Sequence, residues 1–167
     1  MSGDPRPYRP NVGIALFNTQ GRVLLARRIR DDGPEIVLPG LEWQMPQGGI
    51  DSAEAPLPAA RRELYEETGV VSAAYLAETD WLAYDFPPYR GPPHRLARFR
   101  GQRQKWFALR FTGREDEIDV ASPRNGEAPE FDAWRWAPLT RLPELVVPFK
   151  RDVYTQVCAE FARYAAP

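Results

Sequence analysis

The run from Gly48 to Val70, GGIDSAEAPLPAARRELYEETGV, constrains this chain more than any other stretch. Glu63, Glu66 and Glu67 stand at i, i+3 and i+4, so a helix places three carboxylates on one face. Like charges at that spacing repel, and stability alone gives no reason to stack them. A divalent cation reverses the sign of the effect. Hard cations take oxygen ligands, and Mg²⁺ typically combines a few carboxylates with substrate phosphates. The pattern reads as a metal platform for phosphate chemistry. Its flanks agree. Gly48 and Gly49 have no Cβ, so the backbone can approach a metal and turn sharply. Pro56 and Pro58 are tolerated in a first helical turn, where amide donors are unpaired anyway. Leu57, Ala60 and Leu64 supply an apolar face, and Gly69 is the expected stop. A surface helix with a solvated acidic face would explain the charges, but not the two glycines and Arg62 at their spacings.

A chain of 167 residues suits one domain. Polar, proline-containing residues 1–7 predict a flexible arm, and residues 8–164 a single domain. The net charge of −1 argues against a surface that attracts nucleic acid all over. The single cysteine, Cys158, excludes an intrachain disulfide and cannot make a zinc site by itself. The absence of a signal-like or long apolar run predicts a soluble cytoplasmic protein with no membrane partner.

In chain order, Val12–Phe17 reads as a buried strand, 18–21 as a hairpin turn, and Arg22–Arg28 as the return strand. Residues 29–42 form a loop with two Gly/Pro breaks, either a plain connection or a flap beside the substrate. Residues 43–47 lead as a short strand into the glycines. Beyond the acidic helix, 73–79 and 81–86 read as two strands, 104–111 as a central strand and 133–137 as another. Residues 87–103 are rich in proline and arginine. From Arg90 to Lys105 there are six Lys/Arg and no acid, which suits a face toward phosphate. Residues 113–130 form an acidic loop ending at Glu130. Phe149, Val153, Val157 and Phe161 recur every four residues, so 149–164 is expected to be an amphipathic helix.

Written as spacing, the acidic stretch is Gly48, five residues, Glu54, seven residues, then Arg62-Glu63-Leu64-x-Glu66-Glu67-x-Gly69-Val70. This resembles the Nudix box of hydrolases that cleave nucleoside diphosphates linked to another moiety, with every fixed position filled. Tyr8–Gly13, Trp43–Gly49, Gly101–Phe107, Pro129–Trp136 and Phe149–Tyr154 extend the likeness over about residues 8 to 160. They are similar to segments of bacterial RNA 5′-pyrophosphohydrolases and of dinucleoside tetraphosphate hydrolases of bacteria and plants. The resemblance implies a Nudix α/β/α sandwich with a mixed central sheet. It makes Glu63, Glu66 and Glu67 ligands of Mg²⁺, Mn²⁺ or another divalent cation, with a backbone carbonyl of Gly48 or Gly49. It makes Arg62 the group that orients the carboxylates, and Glu54 a structural partner of the loop. It brings Glu130 to the metals or the attacking water. Arg28, Val147, Phe149 and Lys150 match positions that contact the first bases or phosphates, and Tyr84 and Lys105 groups near the polyphosphate. Arg9 and Gln104 complete the substrate-binding set.

The implied chemistry is in-line attack of water on a phosphorus, with Glu66, Glu67 or Glu130 taking the proton. Two substrates remain open. One is RNA, whose 5′-triphosphate would lose pyrophosphate to leave a 5′-monophosphate. The other is a dinucleoside polyphosphate, with diadenosine tetraphosphate cut to ATP and AMP. A non-catalytic nucleotide- or RNA-binding module is the reading from another class, and the complete set of glutamates argues against it. No stimulating protein partner is identified by the sequence.

Overall fold

A computed structural model describes residues 3–31, 33–122 and 124–165. The strands are Tyr8–Phe17 (β1), Val23–Arg28 (β2), Trp43–Gln44 (β3), Gln47–Gly49 (β4), Ala73–Asp85 (β5), Gly101–Phe111 (β6) and Phe131–Ala137 (β7). The helices are Pro56–Thr68 (α1), Leu142–Leu145 (α2) and Arg151–Phe161 (α3). β1 lies at the centre, parallel to β6 and antiparallel to β2 and β4. β5 extends the sheet beyond β6, while β3 and β7 both pair with β2.

Alternation along the strands builds two cores. Val12, Ile14 and Leu16 of β1 join Phe107 and Leu109 of β6 on the face covered by α1. Ala15 and Phe17 join Trp106 and Ala108 on the opposite face, under α3. Period-two burial on both faces is what a central strand between helices requires. Among the described residues no helix is long and apolar enough to cross a membrane.

Three differences from expectation have local causes. The two strands expected at 73–79 and 81–86 are one, β5, with register shifts between Tyr75 and Ala77 and between Glu78 and Trp81. Buried Thr79 sits at the second irregularity, where its hydroxyl accepts from the Trp106 amide at 3.1 Å and keeps the ladder joined. The C-terminal helix is α only over Arg151–Phe161, with 3₁₀ turns at 148–150 and 162–164. Val153, Val157 and Phe161 are buried as the periodicity requires. The N-terminal arm is fastened at its inner end: Arg6 donates to the Ala97 carbonyl at 2.9 Å, and the Pro7 carbonyl accepts from the Arg100 amide at 3.0 Å.

Candidate active site

The acidic stretch folds as its residue types dictate. Pro56 opens α1, and Gly69 ends it in the left-handed conformation (φ 78°), its amide bonded to the Tyr65 carbonyl. Ala59, Ala60 and Leu64 anchor the helix on the core. That leaves Glu63, Glu66 and Glu67 facing β4. Arg62 ties the group together. It donates to Glu54 at 2.8 and 2.9 Å, to Glu63 at 2.8 Å, to Glu66 at 3.2 Å and to the Gly49 carbonyl at 2.8 Å. Glu54 also accepts from the Asp51 amide, which closes the loop before the helix. Two glycines make room for charge. A Cβ on Gly48 would lie 2.0 Å from the Glu63 carboxyl carbon, and one on Gly49 would lie 2.2 Å from the Arg9 guanidinium.

The electrostatics of this end favour a cation. Burial pushes the Glu63 carboxyl up to about 7, with Arg62 opposing and Glu66 adding to the rise. Burial lifts Glu67 well above the usual carboxylate range, and the neighbouring Glu130 and Glu63 lift it further. Glu67 Oε2 is buried with no hydrogen-bond partner among the described residues. Buried, mutually repelling oxygens with an unused acceptor form a donor set suited to a hard divalent ion. Among the described residues no three of these side chains stand close enough to hold an ion by themselves. The Gly48 backbone carbonyl and the substrate's own oxygens are the further ligands such an ion would take.

These groups line one end of a cleft of about 460 Å³. Arg9, Arg30 and Arg95 line it too, with Asn11, Gln47 and Glu130. Arg9 donates to Gln102 at 3.0 Å. Its pKa is lowered by burial first and by nearby Arg95 second. Neither Arg9 nor Arg95 has a carboxylate within ion-pair distance among the described residues. Guanidiniums gathered along one cleft suit a phosphate chain.

The other expected substrate residues separate into three groups. Tyr84, Gln104, Arg28 and Lys150 come together beneath loop 29–42. Gln104 is buried, bonded to Asn11 and Gln47 at 2.9 and 3.2 Å, and serves as scaffold. Lys150, expected to face an anion at a helix start, is fully buried, 3.2 Å from Glu35 and 3.0 Å from Gln44. Lys105 lies elsewhere. Alternation along β6 turns Gln102 and Gln104 toward the cleft and Lys105 away from it, to pair with Glu78 at 3.0 Å. Val147 is 4% exposed within the α3-side core, so its apolar side chain packs and does not line the cleft. Phe149 is half-buried with its ring 5.6 Å from that of Tyr84, closer to a core anchor than to an open stacking face. Of the six basic residues from Arg90 to Lys105, only Arg95 lines the cleft. Arg100 pairs with Asp85, and Arg103 stacks on Trp81.

Glu35 went unnoticed in the sequence, although its surroundings are among the most densely bonded in the molecule. Tyr84, Gln102 and Gln47 donate to its Oε1 at 2.7, 3.0 and 3.1 Å. The only signal was the break Gly33-Pro34 just before it, which marks a turn and says nothing of where the next side chain goes.

Comparison with known proteins agrees with this geometry. The NUDIX domain model matches residues 7–157. An RNA pyrophosphohydrolase of Agrobacterium fabrum is 53% identical over 162 residues, spanning 96% of this chain and 95% of that protein. Another, of Azorhizobium caulinodans, is 53% identical over 161 residues, 95% of each. Among solved structures, an Ap4A hydrolase of C. elegans superposes with a TM-score of 0.60 at 16% identity, covering 91% of this chain and 98% of that one. The E. coli dihydroneopterin triphosphate pyrophosphohydrolase gives 0.61 at 19% identity, covering 93% and 99%. At such identities these two speak for the fold, an α/β arrangement with a mixed sheet. With the family pattern spanning nearly the whole chain and the helix, glycines and glutamates placed as described, the chain belongs to the Nudix family.

Proposed function

We propose that the protein hydrolyses the 5′-triphosphate end of RNA, releasing pyrophosphate and leaving a 5′-monophosphate. The observation that carries this is one cleft with Glu63, Glu66, Glu67 and Glu130 at one end and Arg9, Arg30 and Arg95 beside them. Carboxylates alone would suit a metal, and arginines alone an anion. Together they suit a phosphate chain that is both held and cut. The near-full-length likeness to proteins named RNA pyrophosphohydrolase favours RNA as the bearer of that chain.

Glu63, Glu66 and Glu67, with Glu130 and the Gly48 carbonyl, would hold Mg²⁺ or Mn²⁺. When bound, such an ion supplies charge against the developing phosphoryl negative charge and makes water more acidic. The chain's own residues do the rest. Arg62 fixes Glu63 and Glu66 in place through its shared guanidinium. Arg9 and Arg95 bind phosphate oxygens beyond the cut. Glu67 or Glu130 accepts the proton of the attacking water.

The test is kcat/KM on a 5′-triphosphate oligoribonucleotide against diadenosine tetraphosphate, under one metal condition with products resolved. A higher value on RNA, with pyrophosphate released, is expected. A higher value on the dinucleotide, giving ATP and AMP, would move the assignment to dinucleoside polyphosphates. No turnover of either would leave a binding module.

A further inference from the structure

The same cleft is lined by a largely buried anion that belongs to the protein. Glu35 rides on loop 29–42, but everything that binds it comes from the framework. Tyr84 is on β5, Gln102 on β6 and Gln47 on β4, and all three donate to the single oxygen Oε1. Lys150, in the turn before α3, brings its ammonium to 3.2 Å from the same oxygen. Arg28 of β2 adds its charge, donating to the Glu35 carbonyl at 3.0 Å, while its own Nε is buried with no acceptor among the described residues.

The donors are out of proportion to the acceptor. A carboxylate offers about four lone-pair sites spread over two oxygens. Here four donors crowd Oε1, while Oε2 accepts no hydrogen bond among the described residues. An ion pair placed only for stability would divide its donors between the oxygens. A rigid nest of one ammonium, one hydroxyl and two amides, with a spare guanidinium N–H beside it, suits a larger anion with more oxygens. The nest is continuous with the cleft, because Glu35 and Gln47 both line it and Gln102 also holds Arg9. Elsewhere the loop is held by the Ile29 amide, which donates to the Glu130 carbonyl at 3.0 Å, by Gly33 against the His94 ring, and by Leu38 and Leu41 packing on the α3-side core.

We propose that Glu35 is a displaceable internal anion, which occupies the donor nest until a phosphate group of the substrate takes its place. This rests on the phosphate-chain reading of the cleft given above. The carboxyl suits the role because it is charged throughout the working range. Burial alone would raise its pKa, but Lys150, Arg28 and the Tyr84 hydroxyl outweigh that and hold it at about 2. An internal competitor lowers the apparent affinity for every ligand that uses the nest, by the fraction of molecules in which the nest is open.

The decisive measurement is calorimetric binding of inorganic tripolyphosphate to the full chain in EDTA, without divalent ions or RNA. Glu35→Gln keeps the size of the side chain and removes its charge. If the nest is open in about a tenth of molecules or fewer, this variant binds tripolyphosphate about tenfold tighter or more. Unchanged or weaker binding by a folded variant overturns the proposal. Should Glu35→Gln fail to fold, the wild-type protein decides. Amide hydrogen exchange at residues 35–38 must rise at saturating tripolyphosphate, as the loop is released. Exchange that stays the same or slows means that Glu35 remains in place, and the proposal is wrong. Neither measurement depends on which substrate is hydrolysed, so failure to cleave RNA would leave this inference standing, and its failure would leave the hydrolase reading untouched.

Discussion

Glu67 is buried and Glu35 largely so, both line the same cleft, and they lie under opposite electrostatic pressure. Glu35 is surrounded by donors and positive charge, which hold its carboxyl at about 2. Glu67 has Glu63 and Glu130 for neighbours and one oxygen without a partner among the described residues, and its pKa is driven well up. Burial is the largest single influence on each and pushes both the same way. The company each keeps decides the outcome. Around Glu35 the protein brings its own anion to a nest of donors. Around Glu67 it gathers carboxylates whose repulsion a cation would relieve.

The largest test of this contrast is Glu67→Gln. Altering even an outer neighbour of a metal ligand commonly costs 10–100-fold, so replacing a proposed ligand should lower kcat/KM by at least about a hundredfold. The same substitution removes a buried carboxyl that resists ionising, so the metal-free variant should lose less melting temperature than wild type as pH rises. Near-wild-type turnover at saturating Mg²⁺ would remove Glu67 from the metal site. Next comes Lys150→Ala. It strands the Glu35 carboxylate in the interior, and breaking a buried pair in this way costs about 3–5 kcal/mol. Denaturant unfolding of the two proteins measures it, and a loss below about 1 kcal/mol would mean that water already reaches the pair.

The pH profile of the metal-free protein separates the two ends. Glu63 and Glu67 have folded values above 4.5, so their contribution is complete below about 4.5; that of Glu63 is lost as pH rises through about 7, and that of Glu67 as pH rises through its own raised value. Glu35 runs the other way. Its contribution is complete above about 4.5 and is lost as pH falls through about 2. Melting temperature should decline from about pH 5 to pH 8, and Mg²⁺ or Mn²⁺ should flatten that decline. A decline that divalent ions leave unchanged would place its source away from the carboxylate end. The smallest expected effect is that of Lys105→Ala. Its partly exposed pair with Glu78 is worth about 0–1 kcal/mol, and kcat/KM should change by less than about threefold. A tenfold fall would bring Lys105 back into contact with substrate.

The carboxylate end was legible in the sequence because helix periodicity fixes relative position over a few residues. Once 56–68 is a helix, Glu63, Glu66 and Glu67 must share a face, and Gly69 must end it. Most of the sheet was legible for the same local reason. The loop end was not. Lys150 at the start of a helix suggests an exposed cation, and only the tertiary fold puts Glu35 within 3.2 Å of it. Lys105 was misplaced by a single residue of strand parity, since Gln104 beside it does face the cleft side. The break in β5 was expected at the right place but with the wrong outcome. An irregularity around Thr79 bends the ladder, and the Thr79 hydroxyl holds the two halves together.

The parallel pairing of β1 with β6 has a consequence in time. Arg9 and its partner Gln102 are 93 residues apart, whereas β1 meets β2 across a short hairpin. As the chain leaves the ribosome, β1 and β2 can pair early, and α1 with all of its glutamates follows. The far edge of β1 then waits, unpaired, for a strand that ends at Phe111. Closing so long a loop is the slow, entropically costly step, and contacts of this range set folding speed. Until it closes, Gln102 is missing from beside Arg9 and from the nest around Glu35, so ability to grip a phosphate chain arrives only with the last strands of the sheet.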